Sequence, residues 1–358
     1  MLTTSQTALV IGASGFVGKF LIAQLLRENI RVFAICRNIN EQAPQLLDWL
    51  SQKGIDHQPL NLIQGDITQP ELGLSSEDWN ALKDVNYLYN TSALFKWNLT
   101  MQQAQAVNVD GLTNLLHSVS KHCHVQRVIH LSGYMLTLDQ HLQKNGIYRD
   151  HIEKTDWSKV YNTLGAYEAS KIQGHFNWIK RANQLNLPWT VIHPATVIGD
   201  ETTGEIPSSQ PITTLIQQLQ QRKMKALPGT SKHSLPLVSV SMLVNAVIEA
   251  SKNPQTIRQE ILIANPKQIS LQSLVEIIAK SLKTKPPHRF ISISLLKYIL
   301  KWQWLANKLG MSAEMLNFIR IEQFDLTTFN QLNQLWKIPP TELEATLQKT
   351  VEWVTQSE

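Results

Sequence analysis

The chain has 358 residues, 43% of them hydrophobic, and a net charge of +5. That apolar content supports one large domain or two smaller ones and excludes wholesale disorder. The basic residues are scattered, which argues against a nucleic-acid partner and suits a phosphate-bearing cofactor; two cysteines, Cys36 and Cys123, are too few for a disulfide scaffold.

The N-terminal stretch "MLTTSQTALVIGASGFVG" lacks a charged n-region and a long apolar core, so no secretory leader is expected there. No run of about 18 apolar residues occurs, and the reading is a soluble cytoplasmic protein without a transmembrane segment. "TALVIG" (7–12) reads as a buried strand, followed by a helical pattern over Gly15–Arg27. Gly12, Gly15 and Gly18 therefore form G-x-x-G-x-x-G between a strand and a helix. In such a turn Gly12 allows the sharp bend, Gly15 lets the backbone approach a pyrophosphate, and Gly18 lets the helix pack on the sheet. The free N–H groups and positive dipole end of the helix face the phosphates. An ordinary strand–helix turn is the alternative. The candidate cofactor contacts here are Gly12, Ser14, Gly15, Phe16, Val17 and Gly18.

"RVFAIC" (31–36) gives a second strand and leads into Arg37. An acidic side chain at this point would accept hydrogen bonds from the ribose 2′-hydroxyl of NAD. A guanidinium instead makes charge-assisted contacts with a 2′-phosphate and stacks on adenine, so NADPH is favoured over NADH. The competing view is a solvated strand-end arginine. "GDIT" (65–68) places Asp66 and Ile67 at a strand end, where they can meet an adenine edge and face. The strand "VNYLYN" (85–90) runs into "NTSA", whose small Thr91, Ser92 and Ala93 let backbone approach the same cofactor. Each piece alone is ordinary turn chemistry; in this order they share a pocket.

A helix is expected over Met101–Lys121, a strand in "RVIHLS" (127–132), a helix over Tyr167–Gln184 and a strand in "WTVIHP" (189–194). Strands separated by such helices imply right-handed crossovers, and hence an α/β, doubly wound parallel sheet of the Rossmann type. Within "YEASK" (167–171), Tyr167 and Lys171 project from one helix face a turn apart. A free tyrosine, with a pKa of about 10, is a poor proton shuttle at neutral pH, and a neighbouring ammonium together with an oxidised nicotinamide favours its phenolate. After "GDETTG" (199–204) the rhythm changes. "PITTLIQQLQQRKM" and "SLQSLVEIIAKSL" read as helices, "LPLVSV" and "EILIAN" as strands, and the tail from Ser292 as mostly helical. The expected division is a dinucleotide-binding domain over 1–200 and a smaller, mostly α substrate region over 201–358, which returns a strand near 260–265 to the sheet.

"IGASGFVG", "GDIT", "NTSA", "NVDGLTNLL", "IHLSG", "YEASK" and "HPATVIGD" stand in the order found in extended short-chain dehydrogenase/reductases, which the first two hundred residues resemble. "LPLVSVSMLVNAVIEAS" is similar to the branch containing fatty acyl and thioester reductases and 3β-hydroxysteroid dehydrogenases. The resemblance implies hydride transfer between a nicotinamide and a carbonyl carbon, with Tyr167 delivering the proton and Lys171 also holding the nicotinamide ribose. It implies that Pro194 and Thr196 line the nicotinamide. Asn108 is similar to a helix asparagine that supports the proton relay, with structural capping as the alternative. His193 stands where the family more often has arginine and receives no role.

The hydroxyl of these enzymes donates to the substrate oxygen, and its usual position coincides with Gly133, with Ser132 one residue early. In a strand, a one-residue shift turns a side chain to the opposite face. Three arrangements stay open. The strand ends early and Ser132 turns into the site; Tyr134 or a backbone N–H donates instead; or the site is impaired. Ser132 is the expected donor.

Eleven histidines occur without H-E-x-x-H or C-x-x-C spacing, so no metal is expected. No G-x-S-x-G elbow appears. In 291–319, Leu295, Ile299, Trp302, Leu305 and Leu309 form a stripe, with Lys297, Lys301 and Lys308 on another face. That stripe packs on the core or on a second subunit of a homodimer, or it rests on a membrane surface or admits an acyl chain. The expected activity is an NADPH-dependent oxidoreductase acting on an apolar small-molecule carbonyl or alcohol, with a long-chain acyl derivative among the candidates. The alternatives are a sugar-nucleotide epimerase or dehydratase, and a non-catalytic dinucleotide-binding sensor or assembly protein.

Overall fold

Short runs of β-branched and aromatic residues, each bounded by a helix, build a single main sheet in the computed structural model, which describes residues 6–94, 99–300, 302 and 312–356. Its strands are β1 (Thr7–Ile11), β2 (Arg31–Cys36), β3 (Leu60–Gln64), β4 (Tyr87–Asn90), β5 (Arg127–Leu131) and β6 (Trp189–Pro194), with Gln259–Ile263 at the edge beside β6. The spatial order is Gln259–Ile263, β6, β5, β4, β1, β2, β3. The pairs β1–β2, β2–β3, β1–β4, β4–β5 and β5–β6 are all parallel, with Val10 of β1 opposite Ala34 on one side and Tyr89 on the other. The chain winds outward from β1 in one direction, then returns to lay β4 on its other side. This reversal opens a crevice beyond the carboxyl ends of β1 and β4, the place where doubly wound sheets bind ligands.

Helices α1 (Phe16–Arg27), α2 (Ile39–Gln52), α3 (Ser76–Leu82), α4 (Met101–Gln105), α5 (Gly111–His122), α6 (Asp139–Lys144), α7 (Trp157–Leu164) and α8 (Ala166–Gln184) fill the crossovers. Leu9, Leu88, Leu115, Val128 and Trp178 are wholly buried where helices meet the sheet. The helix expected over Met101–Lys121 is not regular. A π-helical turn, Ala106–Asp110, lies between α4 and α5. Its apolar periodicity continues across the turn, which is why the pattern conceals it.

The chain divides into two compact units, Met1–His193 with Val244–Ile261, and Pro194–Leu243 with Leu262–Glu358. In the second unit Thr196–Ile198 pairs in parallel with Leu237–Ser239, and helices Pro211–Gln220, Leu271–Ser281 and Leu343–Gln356 pack on one another. The tail stripe takes another register than expected. Leu296 and Leu300 are buried with Leu316, whereas Leu295 and Trp302 are exposed; Leu305 and Leu309 lie outside the described residues. The helix there, Ile293–Ile299, is short, and its i,i+4 pair Leu296–Leu300 is the face that finds a partner. Among the described residues, no helix is long and apolar enough to cross a membrane.

Candidate functional site

The glycine turn is shaped by two of its three glycines. Gly12 has φ of +84°, a left-handed conformation that favours glycine, and a Cβ there would lie 2.8 Å from Ser92 N and Thr91 Oγ1. A Cβ on Gly18 would lie 2.1 Å from the Gly12 carbonyl oxygen, so α1 approaches β1 only because that Cβ is missing. Gly15 is the N-cap of α1 and supplies no side-chain cap, and the first turn carries no acidic residue. The N–H groups at this helix start are left for an anion. Ser14 and Gly15 are exposed, while Phe16 and Val17 continue along the helix, with Phe16 packed edge-on against Phe20.

A cavity of about 190 Å³ opens at this turn. Gly12, Ser14, Gly15, Arg37, Asp66, Ile67, Thr91, Ser92 and Ala93 all line it, so residues from the ends of β1, β2 and β4 and from the segment after β3 reach one space. Asp66 Oδ1 accepts from Thr68 N and Oγ1, both at 2.8 Å, which fixes its carboxylate at the rim. Thr91 Oγ1 donates to the Ile11 carbonyl at 2.8 Å, and Ser92 Oγ donates to Asn90 Oδ1 at 2.6 Å, tying the β4 end to the turn. Gln42, Leu94 and Val107 also line the cavity and were not foreseen. Gln42 Nε2 donates to Ser14 Oγ at 2.9 Å, bringing α2 over the turn. A half-buried polar residue in a helix carries no local signal of that role.

Asn108 is buried in the π-helical turn and bridges two segments. Its Oδ1 accepts from Leu94 N at 2.9 Å, and its Nδ2 donates to Ser170 Oγ at 3.0 Å; Ser170 Oγ in turn donates to the Tyr167 carbonyl at 2.9 Å. These bonds link the loop after β4 to α8. Gly174 makes the approach possible, since a Cβ there would lie 1.8 Å from the Asn108 carbonyl oxygen.

Tyr167 and Lys171 occupy the first two turns of α8 and are half-buried. Lys171 Nζ donates to the Leu131 carbonyl at 2.9 Å, which joins α8 to the end of β5. Desolvation by the surrounding protein brings the Lys171 ammonium down to about 8. In the unliganded chain the Tyr167 phenol is not drawn toward the phenolate. Burial raises it above the ordinary tyrosine value and the Glu168 carboxylate adds to the rise, while Lys171 turns to the Leu131 carbonyl. The unliganded chain therefore holds Tyr167 as a protonated phenol at neutral pH.

β5 ends at Leu131, immediately before Ser132, although the Ser132 N–H still donates to the Ile192 carbonyl at 2.8 Å. Ser132 is buried, and its Oγ has no hydrogen-bond partner among the described residues. Gly133 follows in extended conformation, φ −161° and ψ 146°, and a Cβ on it would meet nothing within 4 Å. An unpartnered buried hydroxyl thus adjoins open space at Gly133. Pro194 closes β6, and Thr196 begins the strand Thr196–Ile198, its N–H bonded to the Pro236 carbonyl at 2.9 Å.

Residues 10–247 match the family described as Male sterility protein. Probable polyketide synthase 6 of Dictyostelium discoideum is 25% identical over 229 residues, which are 60% of this chain and 8% of that protein. Fatty acyl-CoA reductase 1 of Xenopus laevis is 30% identical over 142 residues, 36% of this chain and 28% of that protein. The chain thus spans less than a third of either relative. The solved terminal R domain from the myxalamid PKS-NRPS biosynthetic pathway has a TM-score of 0.78 at 18% identity, covering 100% of this chain and 92% of that one, a likeness of fold.

Proposed function

Because this chain belongs to the family described as Male sterility protein, with the fold of extended short-chain dehydrogenase/reductases, we propose that it is an NADPH-dependent reductase of an apolar carbonyl substrate, with long-chain acyl derivatives the first class to test. The observation that carries this reading is the Lys171–Leu131 hydrogen bond. It joins Lys171, one turn beyond Tyr167 on α8, to the last residue of β5, next in sequence to Ser132 with its unpartnered hydroxyl, which supports a shared site for the three. The dinucleotide fits the cavity at Gly12–Gly15, which offers uncapped helix N–H groups for a pyrophosphate and Arg37 for a 2′-phosphate.

When bound, the reduced nicotinamide supplies the hydride. The chain's own residues do the rest. Tyr167, protonated at neutral pH, donates its proton to the carbonyl oxygen as negative charge builds there. Lys171, an ammonium below about pH 8, keeps two N–H donors beyond the one given to Leu131 and holds the nicotinamide ribose with them. Ser132 Oγ donates a hydrogen bond to the same substrate oxygen, a contact that strengthens in the transition state. Asn108 holds α8 in place through Ser170. The fatty acyl-CoA reductase among the relatives supports an acyl thioester as one substrate to try.

Rapid-mixing measurement of NADPH oxidation against a panel of apolar aldehydes and acyl thioesters tests the proposal. Consumption of NADPH with at least one panel member is the expected result. Tight NADPH binding with no turnover across the panel would leave a dinucleotide-binding sensor in its place.

A further inference from the structure

Three side chains remote in sequence meet near the end of β6, away from the glycine turn. His175 of α8, His193 of β6 and Glu260 of the edge strand offer ligand atoms that all lie within 4.8 Å of one another. His193 Nε2 is 2.9 Å from Glu260 Oε2, and His175 Nε2 is 3.3 Å from the same oxygen. Both imidazoles are completely buried, whereas the Glu260 side chain is 31% exposed.

The hydrogen-bond chemistry of His193 leaves a charge to be supplied. Its Nδ1 lies 3.0 Å from the Gly133 carbonyl oxygen, which can only accept, so the ring proton resides on Nδ1. A neutral ring then turns the lone pair of Nε2 toward a carboxylate oxygen 2.9 Å away. Two acceptors in contact repel unless a cation, either a second proton or a metal ion, lies between them. His175 adds an independent sign. Neither of its ring nitrogens has a hydrogen-bond partner among the described residues, despite full burial beside that carboxylate.

We propose that His175, His193 and Glu260 bind one divalent transition-metal ion, zinc by the character of the donors, through the two Nε2 atoms and Oε2. Tetrahedral zinc with bonds near 2.0–2.1 Å separates its ligand atoms by roughly 3.3 Å, and the two separations to Oε2 are 2.9 and 3.3 Å. The Nδ1 bond of His193 to the Gly133 carbonyl is the outer contact that orients a metal-bound imidazole. Arg149 Nη1 lies 3.6 Å from Glu260 Oε1, which leaves Oε2 for the ion. Glu260 reaches solvent, so water can complete the coordination. The bound ion ties β6, α8 and the edge strand together and, through His193, fixes the main chain at Gly133 beside Ser132.

The chain, stripped with a chelator and dialysed, is titrated with Zn²⁺ by calorimetry and with Co²⁺ by visible absorption. The expected result is stoichiometric Zn²⁺ uptake, a four-coordinate Co²⁺ spectrum that Zn²⁺ displaces, and a melting temperature that rises with Zn²⁺. Glu260→Gln and His175→Asn should each weaken uptake by at least about tenfold. Absence of stoichiometric uptake by the wild-type chain overturns the proposal and assigns the cation to a proton on His193. Uptake unchanged in both variants overturns it as well. Should the variants fail to fold, the Co²⁺ spectrum of the wild-type chain decides, since an octahedral water-rich spectrum contradicts this ligand set.

Discussion

Lys171 on α8 donates from Nζ to the carbonyl oxygen of Leu131, 2.9 Å away at the last residue of β5. A single neutral carbonyl does not replace the hydration an ammonium loses on burial, and the group falls from 10.5 to about 8. The sign of the consequence follows from proton counting. Below pH 8 Lys171 is charged in both folded and unfolded chains, and folding bears the whole desolvation penalty. Between pH 8 and 10.5 the folded chain has released a proton that the unfolded chain retains, so this residue's contribution rises with pH. Lys171→Met should therefore stabilise the unliganded chain at pH 7, by roughly 1–3 kcal/mol after allowing for partial exposure, and abolish turnover. Urea denaturation at pH 7 and pH 10 checks it: the gap between variant and wild type must shrink at the higher pH.

Tyr167→Phe removes only the phenolic oxygen of the proposed proton donor. It should lower kcat by at least about 100-fold and leave NADPH affinity unchanged, as read by fluorescence titration. Activity within a few-fold of wild type would rule out the proton-transfer role.

Ser132 and Gly133 make a paired prediction. Removing an unpartnered buried hydroxyl relieves a desolvation cost, so Ser132→Ala should raise stability by about 1 kcal/mol. If that hydroxyl faces the substrate oxygen, the same change should lower kcat about 100-fold. Gain of stability with loss of rate is the pattern of a group held ready for a ligand. Gly133→Ser tests the neighbouring space. Its extended backbone accepts any residue and its Cβ meets nothing, so the variant should fold with stability changed by less than about 0.5 kcal/mol. In the Ser132→Ala background it should recover part of the lost rate. A Ser132→Ala variant with unaltered kcat would move the donor elsewhere.

The parts of this fold that could be read from sequence are those whose cause is local. The runs "RVFAIC" and "WTVIHP" became strands over those same residues, because a buried parallel strand needs an unbroken apolar run. Gly12 and Gly18 had to be glycines for a bend and a close approach, both contained within a dozen residues. What could not be read depends on distant partners. The π-helical turn at Asn108 exists because Leu94 and Ser170 claim its side chain, and neither leaves a mark on the periodicity of 101–121. His175, His193 and Glu260 match no spacing motif because three separate elements bring them together. The protonation of Tyr167 in the unliganded chain has a related cause. The i,i+4 spacing gives proximity to Lys171 but not the Leu131 carbonyl that engages the ammonium.

Arg37 lines the cavity at the end of β2 as an exposed side chain, so its removal should cost little stability. If it contacts a 2′-phosphate, Arg37→Ala loses a charge-assisted hydrogen bond worth about 1.5–3 kcal/mol, a rise of roughly 10- to 100-fold in KM for NADPH. KM for NADH should stay within about twofold, because that cofactor has no phosphate for the guanidinium to meet. Steady-state kinetics with both cofactors at matched concentrations decides it. Equal losses for both would mean that Arg37 acts on the adenine or on the fold.

Gly174 tests whether the seating of α8 on the π-helical turn matters to the whole assembly. The atoms it would strike as alanine are main chain, the Asn108 oxygen at 1.8 Å and its carbonyl carbon at 3.0 Å, and backbone cannot swing aside as a side-chain tip does. Gly174→Ala has to push α8 outward or unwind the turn, and either move stretches the Asn108–Ser170 bond near Tyr167. The expected cost is about 3 kcal/mol or more, seen as a lower urea midpoint, although alanine favours a helix interior over glycine by about 1 kcal/mol. Turnover should fall further than the folded fraction does, because the displaced helix carries both Tyr167 and Lys171. A variant as stable and as active as wild type would show that α8 is not held where the Asn108 bridge sets it.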